Sequence, residues 1–472
     1  MSPPTSATTM LRYLFAACLF LFAHSPAADA RSRKRDATSK APPPEEGTTS
    51  FWISRFPIHV LLEPDEDGDK RGVIASKEAF EVFGPAKGKD CKGPGWAKVR
   101  GGGYACLRYA ERTDKVPRML PTYVGFPHPD SSESKSYIET GEYNLNPDEP
   151  YPDSPFIYAR RYKEKKGRVY KSAEAYANGE RSIYRIGGTK SFIRVEDTPK
   201  GKVLVRQNGH VVPLDDVRVV PLSRIRSRNV LKDPIPEGML PAWAIRGKGT
   251  RVRAAPDEDA KVIGTLDYHA PVLVKNAPLG KDGRWWEIPN HDDTGVSGYV
   301  QDKSGIRHWV PRDPPDFVKP DEMWIDVDLG QQVLAVRRGA ALEYVTLVST
   351  GTYGHSTPRG LYQVRDKVVY ANMASRPSVE GKDAYFVGNV PFIVHFWPRY
   401  ALHGAFWHWG FGWVRSHGCI NMALHDVRYI YENVTPVNFP GWKMVYDTKE
   451  EPGTLLRVRR GQDKIVDKRR WR

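Results

Sequence analysis

From Phe51 to about Asp233 the apolar residues come in short runs and never recur at the three-and-four spacing of an amphipathic helix. Lys202-Val203-Leu204-Val205-Arg206 and Val217-Arg218-Val219-Val220 are β-type runs with turn residues between them. Asn208-Gly209, between Gln207 and His210, is the chemistry of a tight hairpin turn. Gly, Pro and Asn-Gly turns punctuate the runs. Mainly β structure is the expectation, and 472 residues are enough for two or more domains. Residues 51–235 therefore read as a β-rich region of unassigned role. Tyr143 to Tyr176, with Pro150, Pro152 and Pro155, reads as irregular connection.

The N-terminal end reads as a targeting segment. Leu11 to Ala23 is an apolar run whose one charge is Arg12, and Ala28-Asp29-Ala30 fits a small-residue cleavage site, so residues 1–30 read as a signal peptide. The run is short for a bilayer span. Met10 offers an alternative start, and Cys18 a weaker lipoprotein reading. Residues 31–50, rich in Lys, Pro, Glu and Thr, read as a disordered linker. The expectation is export to the periplasm or cell wall. Formal net charge is +15, partly in Arg31 to Arg35 and in a stretch read as a basic C-terminal tail over residues 448–472. That balance favours an anionic envelope surface, and export argues against nucleic acid as a partner. Cys91 and Cys106 lie in one turn-rich segment. They either stay as thiols or pair in an oxidising compartment, closing a loop worth about 3 kcal/mol in the chain-entropy model. Pairing leaves Cys419 as the free thiol.

The chemistry concentrates between His403 and Asn421, which read H-G-A-F-W-H-W-G-F-G-W-V-R-S-H-G-C-I-N. A thiol needs a neighbouring base or cation to react, and imidazole can take its proton near neutral pH. Gly418 lets a backbone approach a substrate closely and can free an N–H for a developing oxyanion. Two other readings stay open on residue types alone. One is an inert buried cysteine beside structural histidines. The other is a zinc site built from His403, His408, His417 and Cys419.

The stretch resembles the active-site signature of the L,D-transpeptidase catalytic domain (YkuD-type): His-Gly, a spacer of roughly fifteen residues, then Ser/Thr-His-Gly-Cys, a hydrophobic residue and Asn or Arg. Here His403-Gly404 and Ser416-His417-Gly418-Cys419-Ile420-Asn421 fill those positions. The resemblance implies a β-rich domain over residues 321–447 in which Cys419 is the nucleophile and His403 the base. His417 and Gly418 would shape an oxyanion site and Ser416 would brace the loop. Arg415 and Asn421 are candidate substrate contacts. It implies no metal and no organic cofactor. The implied substrate is a peptidoglycan tetrapeptide stem, acylating the thiol with loss of D-alanine and passing to an amine of another stem or of a wall-attached protein. Sensitivity to carbapenem-type β-lactams is implied too. Water as acceptor would make an L,D-carboxypeptidase, and a blocked cleft would leave an inactive wall-binding scaffold.

Within that domain Ser349-Thr350-Gly351 and Ser356-Thr357-Pro358-Arg359-Gly360 resemble two turns of the family. Met422, Val427, Ile430, Tyr431 and Val434 fall at helical spacing, with Asn421 as the expected N-cap and the thiol next to a helix N-terminus. His408 and Asp426 read as structural or cleft-lining, and His355 and His395 receive no role. Upstream, Gly249 to Pro256, Trp285-Trp286 and Gly298-Tyr299-Val300 resemble a bacterial Src-homology-3-type domain over residues 240–310. Such a module either binds the wall or positions the enzyme. A looser match of the same kind covers residues 72–109.

Overall fold

The computed structural model describes residues 47, 49–119, 154–220, 222–223, 225–291, 295–302, 305–375, 385–463 and 465–469. The expected signal peptide, the Cys18 alternative and nearly all of the expected linker lie outside these residues. Within them the fold is mainly β, with several small β modules ahead of a larger two-sheet domain.

The first module runs from strand Ser50–Ser54 to strand Ala110–Arg112, wider than the 72–109 suggested by sequence. Trp52, Val60, Ile74, Phe80, Val82 and Ala97 close its core. Cys91 and Cys106 are joined by a disulfide, with Cα atoms 5.7 Å apart. The module does not close on its own residues. Strand Trp442–Tyr446, from far down the chain, pairs antiparallel with Lys70–Ile74 and buries Trp442 and Val445 in the same core. Gly72 permits that approach, since a Cβ there would lie 2.5 Å from the Met444 carbonyl oxygen and the Trp442 ring.

The second module occupies residues 156–220 and corrects the reading of Tyr143 to Tyr176 as irregular, so far as that stretch is described. Strand Ile157–Arg161 pairs with Thr189–Phe192 and Val217–Val219. A helical turn, Ala173–Ala177, begins at Ser172, whose Oγ accepts the Ala175 N–H at 3.1 Å. Ile157, Ala159, Val169, Phe192, Leu204 and Val212 make the core. The periodicity was hidden because strands of two to five residues leave little alternation to see. In the third module Met239–Ala244 pairs with Pro271–Lys275 and Ile306–His308, beside a four-stranded sheet from Thr250 to Gln301.

The C-terminal domain packs two sheets around one core. One has the order Arg228–Asn229, Ala341–Leu347, Val333–Arg338, Met323–Asp328, Leu455–Arg459, Gly360–Gln363. The other brings Ile420–Met422, Tyr400–Gly404, Phe386–Trp397, Asp366–Ala374 and Trp442–Tyr446 side by side, and helix Leu424–Asn433 covers it. Ile325, Val327, Leu456, Val458, Leu402, Ile420, Val427 and Ile430 meet between them.

Leu455–Arg459 corrects the reading of residues 448–472 as a solvated basic tail. It is an internal strand, parallel to Met323–Asp328. Both strands alternate, apolar side chains to the core and charged ones to the opposite face. Arg457 forms a two-pronged pair with Asp326, both distances 2.8 Å, and Arg459 reaches Asp326 at 3.1 Å and Asp328 at 2.6 Å. Asp326, Asp328, Arg457 and Arg459 are all buried. Opposite charges, invisible as partners across 130 residues of sequence, explain why so basic a segment is internal. Removing one member strands buried charge, at about 3–5 kcal/mol. Asp326→Ala should lose about that much stability in a denaturant titration, whereas the exposed pair Arg194–Glu196 should contribute less than about 1 kcal/mol.

Candidate active site

The site is made by one parallel pairing. Strand Tyr400–Gly404 runs beside Ile420–Met422 with Leu402 opposite Ile420 and His403 opposite Asn421. Leu402 and Ile420 enter the core, so His403, Asn421 and, one step of two before it, Cys419 belong to the other face. The sixteen-residue spacing in sequence thus collapses to neighbouring positions on adjacent strands. On its other side the motif is held by the Ser349–Gly351 turn. Ser349 and Asn421 exchange both backbone bonds at 2.8 and 2.9 Å, and Arg415 and Ser416 donate their N–H groups to the Thr350 carbonyl. Gln332 fixes that turn in place, donating to Thr350 Oγ1 at 2.7 Å and accepting the Thr350 N–H at 2.8 Å.

Ser416 braces the loop that carries Cys419. Its hydroxyl donates to the Cys419 carbonyl at 2.5 Å and accepts the Gly418 N–H at 3.0 Å. The Gly418 N–H, expected from sequence to serve an oxyanion, is therefore engaged within the loop. Gly418 has φ +119°, and a Cβ there would meet the Tyr400 ring at 2.6 Å. Only glycine fits. Thr357, from the second family-like turn, donates to the Gly418 carbonyl at 2.8 Å.

Cys419 is partly exposed, with Sγ 3.7 Å from the Arg399 carbonyl. Burial raises its thiol pKa to about 11, against a smaller opposing contribution from the Ala401 backbone. The expected help from a helix terminus is not there. The helix starts at Leu424 after an uncapped Ala423, and Asn421 lies in a strand instead of capping it. The strand pairing took those residues because both neighbours, Ser349 and His403, offered backbone partners.

His403 is buried and faces Asn421 across the pair. Its Nδ1 lies 3.3 Å from the Gly404 carbonyl, which places the proton on Nδ1 and leaves Nε2 as an acceptor. Burial lowers its pKa to about 4, and His395 adds to the effect. His395, given no role from sequence, pairs with Asp366 at 2.6 Å. Burial disfavours its charge, but the carboxylate prevails and its pKa is raised. The pair with Asp366 favours the charged form of His395, and nothing in the linear spacing of Asp366 and His395 signals it.

His408 is also neutral, its pKa lowered to about 4 by burial and by Arg415 and His403. It accepts the Gly410 N–H at 3.2 Å and lies 2.9 Å from the Asn421 amide. Its Nε2 therefore carries a proton, and the Asn421 amide is best oriented with its oxygen towards it. His417 is exposed, its ring between His355 at 4.8 Å and Tyr385 at 5.0 Å. Tyr385 is a cleft residue that sequence reasoning missed. Burial raises its pKa, and Cys419 adds to the rise. Asp426 accepts from Tyr344 and Thr346 at 2.6 Å beneath the helix, a structural task. Arg415 is exposed and lies across Gly410, where a Cβ would collide with its Nε at 1.9 Å. Among the described residues no three His, Cys, Asp or Glu side chains are grouped to hold a metal ion.

Residues 322–458 match the L,D-transpeptidase catalytic domain family (YkuD), and residues 248–306 match the bacterial SH3 domain family. YciB of Bacillus subtilis (strain 168), provisionally designated an L,D-transpeptidase, is 24% identical over 139 residues, covering 25% of this chain and 64% of its own length. The chain thus spans a little under two thirds of that relative. An L,D-transpeptidase from Mycobacterium smegmatis is 18% identical, covering 40% of this chain and 90% of its own, with a TM-score of 0.25. The catalytic domain of the E. faecium L,D-transpeptidase is 19% identical, covering 29% and 98%, with a TM-score of 0.23.

Thiol and imidazole are both neutral at pH 7, with on the order of one thiolate in ten thousand. Alkylation of Cys419 by iodoacetamide should therefore rise about tenfold per pH unit from neutral pH up to the raised thiol pKa. A plateau already reached at pH 7 would show a pre-formed ion pair instead.

Proposed function

We propose that the protein is an exported cysteine L,D-transpeptidase acting on peptidoglycan stem peptides. The observation that carries this reading is the strand pairing that sets His403 and Cys419 on one face, in a domain matching that family. The Cys419 Sγ attacks the carbonyl preceding the terminal D-alanine of a tetrapeptide stem. Its proton passes to His403 Nε2, the unprotonated nitrogen. A neutral pair suits general-base attack, in which the proton moves as the C–S bond forms. The oxyanion that develops is met by the Cys419 N–H, since that of Gly418 is engaged by Ser416. Collapse breaks the C–N bond, and the His403 proton leaves on the D-alanine amine. A thioester remains.

In the second half His403 takes a proton from the incoming amine of another stem or a wall-attached protein, and the thiolate leaves and is reprotonated. Tyr385 and His417 flank the thiol as walls of the acyl cleft. Arg415, which lies across Gly410, would receive a stem carboxylate. The chemistry proposed needs no metal or organic cofactor.

The test is mass spectrometry of the chain and its Cys419→Ala variant, each incubated with a carbapenem and with tetrapeptide-stem muropeptides. Wild type should gain one β-lactam adduct on Cys419 and form muropeptide dimers, and the variant should do neither. Shortened monomers without dimers would assign water as the acceptor. Neither adduct nor product from folded protein would sink the enzyme reading.

A further inference from the structure

The loop joining His403 to Cys419 is gripped from outside its own domain. From the second module, the Tyr158 ring lies flat on Phe406 at 3.5 Å and 8°. The third module, matching the bacterial SH3 family, makes the rest of the grip. Tyr268 Oη donates to the Trp409 carbonyl at 3.2 Å, and His269 Nε2 to the Phe411 carbonyl at 3.1 Å. Arg307 Nε donates to the Gly412 carbonyl at 3.0 Å, with its guanidinium 4.9 Å over the Trp413 ring. Trp413 Nε1 donates back to the Ile245 carbonyl at 3.3 Å. Phe411 is buried in one cluster with Trp243 and Ile245 of the module and Val333 and Leu347 of the catalytic domain. Four loop residues, Trp409, Phe411, Gly412 and Trp413, thus meet the module through backbone or side chain.

His269 sits at φ +65°, in the left-handed region, which fixes the direction of its side chain. Its ring is stacked on Tyr268 at 3.7 Å and kept neutral by burial, which lowers its pKa to about 4 and makes Nε2–H a fixed donor. Arg307 is buried and directs a guanidinium N–H at a backbone carbonyl of another domain. Gly412, at φ +86°, has no room for a Cβ, which would meet Ile245 at 2.8 Å. The module's Trp243, Trp285 and Trp286 are all buried, so none of them is offered as an exposed platform for a wall polymer.

We infer that Tyr268, His269 and Arg307 of the SH3-type module are positioning residues for Cys419, fixing the loop that sets its approach to His403. The inference rests on the transpeptidase reading for its reaction, but the thiol's reactivity reports on it independently. A displacement of about 1 Å in such a loop is enough for about a hundredfold loss of rate.

The experiment compares the full chain with Arg307→Met, His269→Leu, His269→Gln and the milder Tyr268→Phe. Each is assayed for the carbapenem acylation rate, the iodoacetamide rate as a function of pH, and the thermal midpoint. Arg307→Met and His269→Leu should acylate at least about tenfold more slowly and shift the alkylation profile. His269→Gln, which keeps an N–H donor, should recover part of the loss. Tyr268→Phe, which loses one hydroxyl and keeps the ring, should show the same direction with little change in thermal midpoint. Unchanged acylation and alkylation in all four variants, whatever happens to the thermal midpoint, would overturn the inference. If wild type is not acylated, the transpeptidase reading fails, and the alkylation profiles alone decide the positioning role.

Discussion

The parallel contact between Tyr400–Gly404 and Ile420–Met422 is the constraint on which the site depends. A strand exposes alternate residues on alternate faces, so committing Leu402 and Ile420 to the core leaves His403, Asn421 and Cys419 no other side to occupy. A one-residue slip would send His403 inward and Leu402 outward, with loss of both the core and the shared face. Ser349 on the far side, bonded twice to Asn421, removes the freedom to slip. Register is therefore enforced by packing on one face and by backbone pairing on both edges.

A parallel pair needs a crossover, and here the crossover is the loop from Ala405 to Arg415. Such a segment carries little regular hydrogen bonding of its own and would be mobile if left to itself. Its support comes from Ser349, from Phe406 stacked on Tyr158, and from the polar row of Tyr268, His269 and Arg307. The modules ahead of the catalytic domain are thus joined to it by more than linkers. The first completes its core with Trp442, and the second and third hold the loop. Burial of Asp326, Asp328, Arg457 and Arg459 ties the last strand into the same body.

Electrostatics at the site follow burial. The thiol and both imidazoles, His403 and His408, are pushed towards their neutral forms chiefly by loss of hydration. Asp366 holds His395 in the opposite direction, a charge that further discourages protonation of His403. Cys419 and His403 are both held towards their neutral forms on one face of the strand pair. Reactivity depends on a substrate carbonyl arriving where proton transfer and C–S bond formation can proceed together.

What the sequence alone determined is what local chemistry encodes. Short β runs and dense turns implied a mainly β fold, and the spacing of His403-Gly404 and Ser416 to Asn421 implied the catalytic family. The tertiary structure decided what depends on partners far away in the chain. Arg457 and Arg459 read as tail because Asp326 and Asp328 lie about 130 residues earlier. Asn421 read as a helix cap because Ser349 could not be seen beside it. His395 acquires meaning only next to Asp366 and His403. The upstream module's place on the catalytic loop was equally hidden, since a hydrogen bond from a side chain to a distant carbonyl leaves no pattern in the sequence.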